Sequence, residues 1–322
     1  MQLLVMPPLK VISISHSIDP DGIGAQAILY RYFRELHIEP IGFLADYYNF
    51  LDVFPKALQE KPDVLIITDI GLNARIINAI VDTLRDLKAR KIWIDHHKAP
   101  LELKKQLQAV TNEFIHDTSV CAAELVQKRF MPTDEISKQI AQISHNGDFD
   151  VDDRLTNIYY TLIDFYRFSM NDLIRIREIL SSGEFESPVI MEEFLEAYKA
   201  FEAERDRIRA EHKILVFDST TVAFAYSKLL PRGKVTKFLS EIVKADIYMA
   251  IDTNNFRIGL RSDTIDVATI AASFGGGGHH HRSGFTFKNA LTSSFELSKE
   301  FLLMLEKAFL ESKKKSPTTD SS

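Results

Sequence analysis

Along the first half of the chain, short continuous apolar runs alternate with apolar positions at helical spacing. Residues 10–15 (KVISIS), 63–68 (DVLIIT) and 91–94 (KIWI) are apolar runs of strand length. Between the first two, the segment 24–36 sets Ile28, Leu29, Tyr32 and Phe33 on one helical face, and between the second and third, 73–88 repeats the helical pattern. This alternation predicts an α/β domain with a mainly parallel sheet and helices on both faces. Residues 134–145 read as a helix with Thr133 as N-cap. From about 155 to 212 the pattern is mainly helical, and the charged stretch 191–212, with few breakers, predicts a connecting helix. A second, smaller α/β unit begins near Lys213. Its expected strands are 214–217, 221–226, 246–251 and 256–260, and its expected helices are 234–244, 266–273 and 294–312. Asn254-Asn255 has hairpin-turn chemistry. The expected division is therefore a domain over 1–190, a connecting helix over 191–212, a second domain over 213–312 and a disordered tail over 313–322 (KKKSPTTDSS). There is no internal repeat.

The polar residues at the ends of the apolar runs change this picture from a fold to a site. His16, Asp19 and Asp21 follow the first run, Asp69 ends the second, and Asp95, His96 and His97 end the third. In an open parallel sheet the C-terminal strand ends gather along one edge, where ligands bind. Asp148, in HNGDFD, supplies a further carboxylate. Taken singly, each has an ordinary reading: Asp69 as a helix cap, HSIDPDG as a turn, Asp148 as a loop residue. Taken together, three successive strand ends carry Asp or His and none carries an apolar substitute. Carboxylate and imidazole donors suit Mn²⁺ and related divalent ions. The lack of thiolate ligands argues against a structural zinc site. Two such ions can clamp the attacking and leaving oxygens of a phosphoryl displacement and generate a hydroxide near neutral pH, given one carboxylate to bridge them.

The second unit carries four consecutive glycines, 275–278, before His279. Glycines permit positive φ and close backbone approach, so the stretch reads as an anion cradle or, on composition alone, a flexible loop. The His279–His281 run reads alternatively as a nonspecific metal tract. Arg261 suits a two-pronged phosphate contact, or is a surface cation at a strand end.

Composition narrows the classes. The chain has 322 residues, 45% hydrophobic and 26% charged, as expected for about two folded domains. A formal charge of −6 gives no basic signature for long duplex binding. One cysteine, Cys121, excludes an intrachain disulfide framework and fits a cytoplasmic location. No signal peptide is expected from MQLLVMPPLK, and no apolar run is long enough to span a membrane.

HSIDPDG, Asp69, IDHH and Asp148 stand in the order of the four motifs of the DHH phosphoesterase superfamily, which the chain resembles. GGGGHHHRSG (275–284), preceded by GLRSDTIDVATIAASF, resembles the GGGH signature of the DHHA1 domain. The likeness runs over residues 11–287. It implies two divalent cations, with Mn²⁺ first and Mg²⁺ or Co²⁺ as substitutes. His16 and Asp19 would bind one, and Asp21, His96 and Asp148 the other, with Asp69 bridging. Asp95 would orient an imidazole, and His97 would contact the phosphoryl oxygen or leaving group. Arg261, Gly276, Gly277, Gly278, His279 and Arg282 would hold the substrate across an interdomain cleft, Arg282 being either a phosphate contact or a surface charge. The implied function is 3′-5′ hydrolysis of short oligonucleotides, as in nanoRNases. The alternatives are a 3′-phosphoadenosine 5′-phosphate phosphatase and a cyclic-dinucleotide phosphodiesterase. An inorganic pyrophosphatase and a non-catalytic nucleotide-binding regulator are rivals. Partners would be short RNA or DNA or small nucleotides, with no membrane, and homodimerisation is left open.

Overall fold

The structure, a computed structural model, describes residues 9–315. The chain separates into two units between Leu195 and Glu196. In the first unit, β1 (Val11–His16), α1 (Pro20–Glu35), β2 (Ile41–Ala45), α2 (Phe50–Gln59), β3 (Val64–Thr68), α3 (Ala74–Asp86), β4 (Arg90–Asp95), α4 (Leu101–Gln108) and β5 (Glu113–His116) follow in order. The helices α5 (Ala122–Phe130), α6 (Glu135–Asp148), α7 (Arg154–Tyr166), α8 (Met170–Ser182) and α9 (Pro188–Glu211) come next. The strands make one sheet, ordered β2-β1-β3-β4-β5, and every pairing is parallel. One face packs Ile12, Ile14, Leu65, Ile67 and Trp93 against α2, α3 and α4. The other packs Val11, Ile66, Ile92 and Ile94 against α1 and α5 to α8. Burial on both faces explains why these strands read as continuous apolar runs.

The expected parallel α/β class holds, and several local expectations are corrected. The first helix begins at Pro20 rather than Gly24. Asp19 is its N-cap, accepting from the Gly22 N–H at 3.1 Å, and Pro20 opens it, where a missing N–H costs nothing. The cap of α6 is Asp134, which accepts from Ser137 N, and not Thr133. β2 and β5 carry too few apolar residues to stand out in sequence, being half-exposed edge strands. The expected connector corresponds to α9, 24 residues long, and the unit boundary falls inside it.

The second unit holds β6 (Lys213–Phe217), β7 (Thr220–Ser227), α10 (Arg232–Ile242), β8 (Ile247–Asp252), β9 (Arg257–Arg261), α11 (Val267–Ala272), β10 (Gly277–His279), β11 (Arg282–Thr286) and α12 (Lys299–Lys315). Its mixed sheet is ordered β10-β11-β9-β8-β7-β6, with only β7 and β8 parallel. One sheet face packs Val222, Met249, Leu260 and Phe285 with Ile270, Phe301 and Leu305. The β8–β9 hairpin is present, but the left-handed residue in its turn is Phe256 (φ 56°), not either asparagine. The glycine stretch is no loose loop. Gly277–His279 pairs antiparallel with Arg282–Gly284, and a Cβ on Gly276 would sit 2.3 Å from the Gly284 carbonyl oxygen. Residues 313–315 continue α12, and the rest of the expected tail lies outside the described residues. Among the described residues no helix is long and apolar enough to cross a membrane.

Gly22 ties β1 to α1, since a Cβ there would lie 2.3 Å from the His16 carbonyl oxygen and 2.5 Å from its Cβ. Gly22→Ala is expected to lower unfolding free energy by about 1–3 kcal/mol, the usual range for an overpacked core site, as read by urea denaturation.

Candidate metal centre

The parallel sheet brings the C-terminal ends of β1, β3 and β4 side by side, so residues far apart in sequence converge. Asp69 sits just past β3 with φ 58°, an uncommon backbone region for a side-chain-bearing residue that Asp tolerates better than most. Its N–H donates to the Ile94 carbonyl at 2.9 Å, which fixes the turn against β4. The carboxylate is 1% exposed. Its Oδ2 lies 3.5 Å from His16 Nδ1, and its Oδ1 lies 3.4 Å from His96 Nε2 and 3.7 Å from His97 Nδ1.

Three groups of potential ligand atoms result, each within 4.8 Å: His16, Asp19 and Asp69; Asp21, His96 and Asp148; and Asp69, His96 and His97. Asp19 caps α1 with one oxygen and sets the other 2.8 Å from His16 Nδ1. Asp21 accepts from the backbone N–H groups of Ala122 and Ala123 at 2.8 and 2.7 Å, at the start of α5, and lies 3.5 Å from His96 Nε2. Asp148, the last residue of α6, approaches His96 Nδ1 at 3.4 Å.

Orphaned polar atoms test whether this set fits a cation. His16 Nε2 and Asp69 Oδ1 are buried without a hydrogen-bond partner. Leaving such groups unpaired is costly, and coordination would satisfy them. All donors are oxygen or imidazole nitrogen. Cys121, buried at the N-cap of α5, belongs to none of the groups. The residues therefore fit hard or borderline divalent cations.

Electrostatics agree. Burial works to push His16 down, but Asp19 and Asp69 hold it well above its ordinary value. For His96, burial is likewise outweighed by Asp69, Asp21 and Asp148, which lift it to about 9. Asp69 goes the other way: burial would raise it, yet the neighbouring imidazoles of His16, His96 and His97 keep it well below the usual carboxylate range. Asp21 is driven well up by burial and by Asp69 and Asp19, against the pull of Ala123 N–H.

His97 has a different setting. Its Nδ1 lies 2.7 Å from Asp95 Oδ1, and Asp95 is fully buried. Its Nε2 lies 3.1 Å from the Tyr47 hydroxyl, which also accepts from Gly71 N–H at 3.2 Å. The Asp95 contact selects an Nδ1–H ring. Burial pulls His97 down, but Asp95 and Asp69 prevail and raise it. Tyr47 was not legible in the sequence, because the strand it follows, β2, was not. His116 on β5 was missed too; its Nε2 is 2.8 Å from the His97 carbonyl and braces the loop.

In the second unit, register sets His279 opposite Arg282, and Arg282 opposite Arg261. Directly opposed residues on antiparallel strands share a face. Gly278, at φ 145°, could not carry a side chain, because a Cβ would lie 2.6 Å from the Arg282 carbonyl oxygen. The two groups of expected site residues thus each assemble within their own unit.

A metal ion must displace the protons on His96 and His16, so affinity is expected to fall as pH falls below the raised His96 value of about 9. Titration with Mn²⁺ by calorimetry at successively lower pH measures this, and each step down should also release more protons per ion bound.

No curated protein matches the chain. Residues 10–147 match the model of the DHH family, N-terminal domain. Solved structures share the fold at low identity. An exopolyphosphatase-related protein from Bacteroides fragilis is 18% identical with a TM-score of 0.52, over 94% of this chain and 92% of that one. A RecJ from Thermus thermophilus in complex with Mn²⁺ is 13% identical with a TM-score of 0.57, over 94% of this chain and 52% of that one. A manganese-bound exonuclease RecJ is 13% identical with a TM-score of 0.61, over 92% and 89%. The segment that matches the DHH family model carries every candidate ligand of the centre except Asp148.

Proposed function

We propose that the protein is a metal-dependent phosphodiesterase that hydrolyses short oligonucleotides, nanoRNase-like and in the 3′-5′ direction. The observation that carries this reading is the overlap of the three ligand groups: Asp69 and His96 each belong to two of them. Shared ligands are what a pair of neighbouring cations requires. Two of the proteins sharing the fold are named as RecJ structures with Mn²⁺, which makes Mn²⁺ and nucleic-acid fragments the first probes.

In this reading His16 and Asp19 would hold one cation and Asp21, His96 and Asp148 the other, with Asp69 shared between the two. Bound there, the ions would neutralise phosphoryl charge and acidify the attacking water. The remaining work falls to side chains. Asp95 keeps a proton on His97 Nδ1, and Asp95 and Asp69 together favour a second proton on Nε2. That N–H donates to a phosphoryl oxygen or to the leaving alkoxide once the Tyr47 hydroxyl yields its place. Arg261, Arg282 and His279, with the backbone of Gly276–Gly278, bind substrate phosphate. The formal charge of −6 favours small substrates over long duplexes.

An Mn²⁺ assay comparing dinucleotides, longer RNA, 3′-phosphoadenosine 5′-phosphate, cyclic dinucleotides and pyrophosphate tests the reading. Dinucleotides are expected to turn over fastest. Phosphate release from pyrophosphate alone would replace this reading with a pyrophosphatase, and tight binding without turnover in excess Mn²⁺ would replace it with a regulator. Asp69→Ala is expected to reduce kcat by at least about a thousandfold, as both cations lose a ligand; single-turnover kinetics at saturating Mn²⁺ check this. His279→Ala is expected to lower kcat/KM about tenfold or more through KM, with kcat little changed, as removal of a ground-state phosphate contact should.

A further inference from the structure

Arg232, a residue outside every motif noted above, lies on the same sheet face as Arg261 and Arg282. It is the first residue of α10, the helix that covers that face of β7, β8 and β9. Its stem crosses the sheet over two glycines. A Cβ on Gly259 would come within 3.0 Å of Arg232 Cβ, and one on Gly284 within 3.1 Å of Arg232 Nη1. Gly259 and Gly284 are register partners, two residues along β9 and β11 from the Arg261–Arg282 pair. The Arg232 side chain therefore runs in a row next to that pair and parallel to it, with its guanidinium over β11. One N–H donates to the Ile258 carbonyl at 3.2 Å, which anchors the group and leaves its other donors free.

This arrangement is costly as it stands. Like charges directly opposite on antiparallel strands destabilise a sheet, and Arg261 and Arg282 are so placed. Arg232 adds a third positive charge beside them. Among the described residues, no carboxylate lies within ion-pair distance of any of the three. Elsewhere in the unit the arginines are neutralised: Arg207 pairs with Glu204 and Glu211, and Arg209 with Asp206. Three uncompensated guanidinium groups in two adjacent rows, over a floor cleared of side chains by glycine, make a seat that an anion would relieve.

We infer that Arg232 is a third phosphate-binding residue, and that with Arg261 and Arg282 it forms a seat for two phosphoryl groups of one ligand. Arg261 and Arg282, in one row, grip the first group by paired N–H donors. Arg232, one row along, takes the second. The ligand class is a molecule with two phosphoryl groups joined directly or through a short link. The inference deepens the phosphoesterase reading and rests on it for the chemistry of the ligand, while the seat itself can be tested without turnover.

The test uses the full chain stripped of divalent metal, so that hydrolysis is off. Binding of inorganic pyrophosphate and of orthophosphate is measured by calorimetry at low salt, where such contacts are strongest. The wild type is expected to prefer pyrophosphate. Arg232→Ala should weaken pyrophosphate about tenfold and leave orthophosphate almost unchanged, while Arg232→Lys restores part of the preference. Gly259→Ala, which displaces the Arg232 stem without touching its charge, should act like Arg232→Ala. Circular dichroism and thermal melts identify any variant that fails to fold, and the preference is then judged on the other two. Equal loss for both anions, no loss for either, or no preference in the wild type overturns the seat. Should the seat behave as expected while Mn²⁺ assays on all nucleotides stay blank, the phosphoesterase reading fails and the seat stands.

Discussion

The histidines of the first unit's centre all lie against one buried carboxylate, that of Asp69. It reaches toward His16 with one oxygen and toward His96 and His97 with the other, and one of those oxygens has no hydrogen-bond partner. A fully buried anion survives only when paired. The surrounding imidazoles supply that pairing by holding protons, and a cation would supply it better. The left-handed backbone at Asp69 belongs to the same constraint, since strained residues persist where the surroundings over-determine them. The β3 strand delivers the carboxylate, the Ile94 carbonyl pins it, and the flanking strands bring the rest.

Much of this was legible in the chain because the sheet is parallel. Strands buried on both faces show as apolar runs, and their C-terminal ends share an edge, so His16, Asp69 and His96 could be brought together on paper. What escaped was at the sheet's margins. β2 and β5 are half exposed, and their sequences, IGFLA and EFIH, mix apolar and polar residues. With β2 unseen, Tyr47 had no position, and the Tyr47–His97–Asp95 line could not be drawn. Helix starts were misjudged where one acid does two tasks: Asp19 faces His16 and also caps α1.

In the second unit, the glycines serve proximity, the close-approach reading that the sequence allowed beside a flexible loop. Gly276 and Gly278 let two backbones approach, and Gly259 and Gly284 let an arginine lie flat. Composition cannot tell a mobile glycine from one pressed against a neighbour. Nor could it place Arg232, whose relation to Arg261 depends on strand register.

The contributors to the centre are scattered from His16 to Asp148, across three crossover connections and a distant helix end. No fragment of the sheet can capture an ion with native affinity. During synthesis, the candidate ligand set stays incomplete until the sixth helix has emerged and docked, so an ion held by it would stabilise only the finished architecture. Completion of the domain and completion of that ligand set are thereby made the same event.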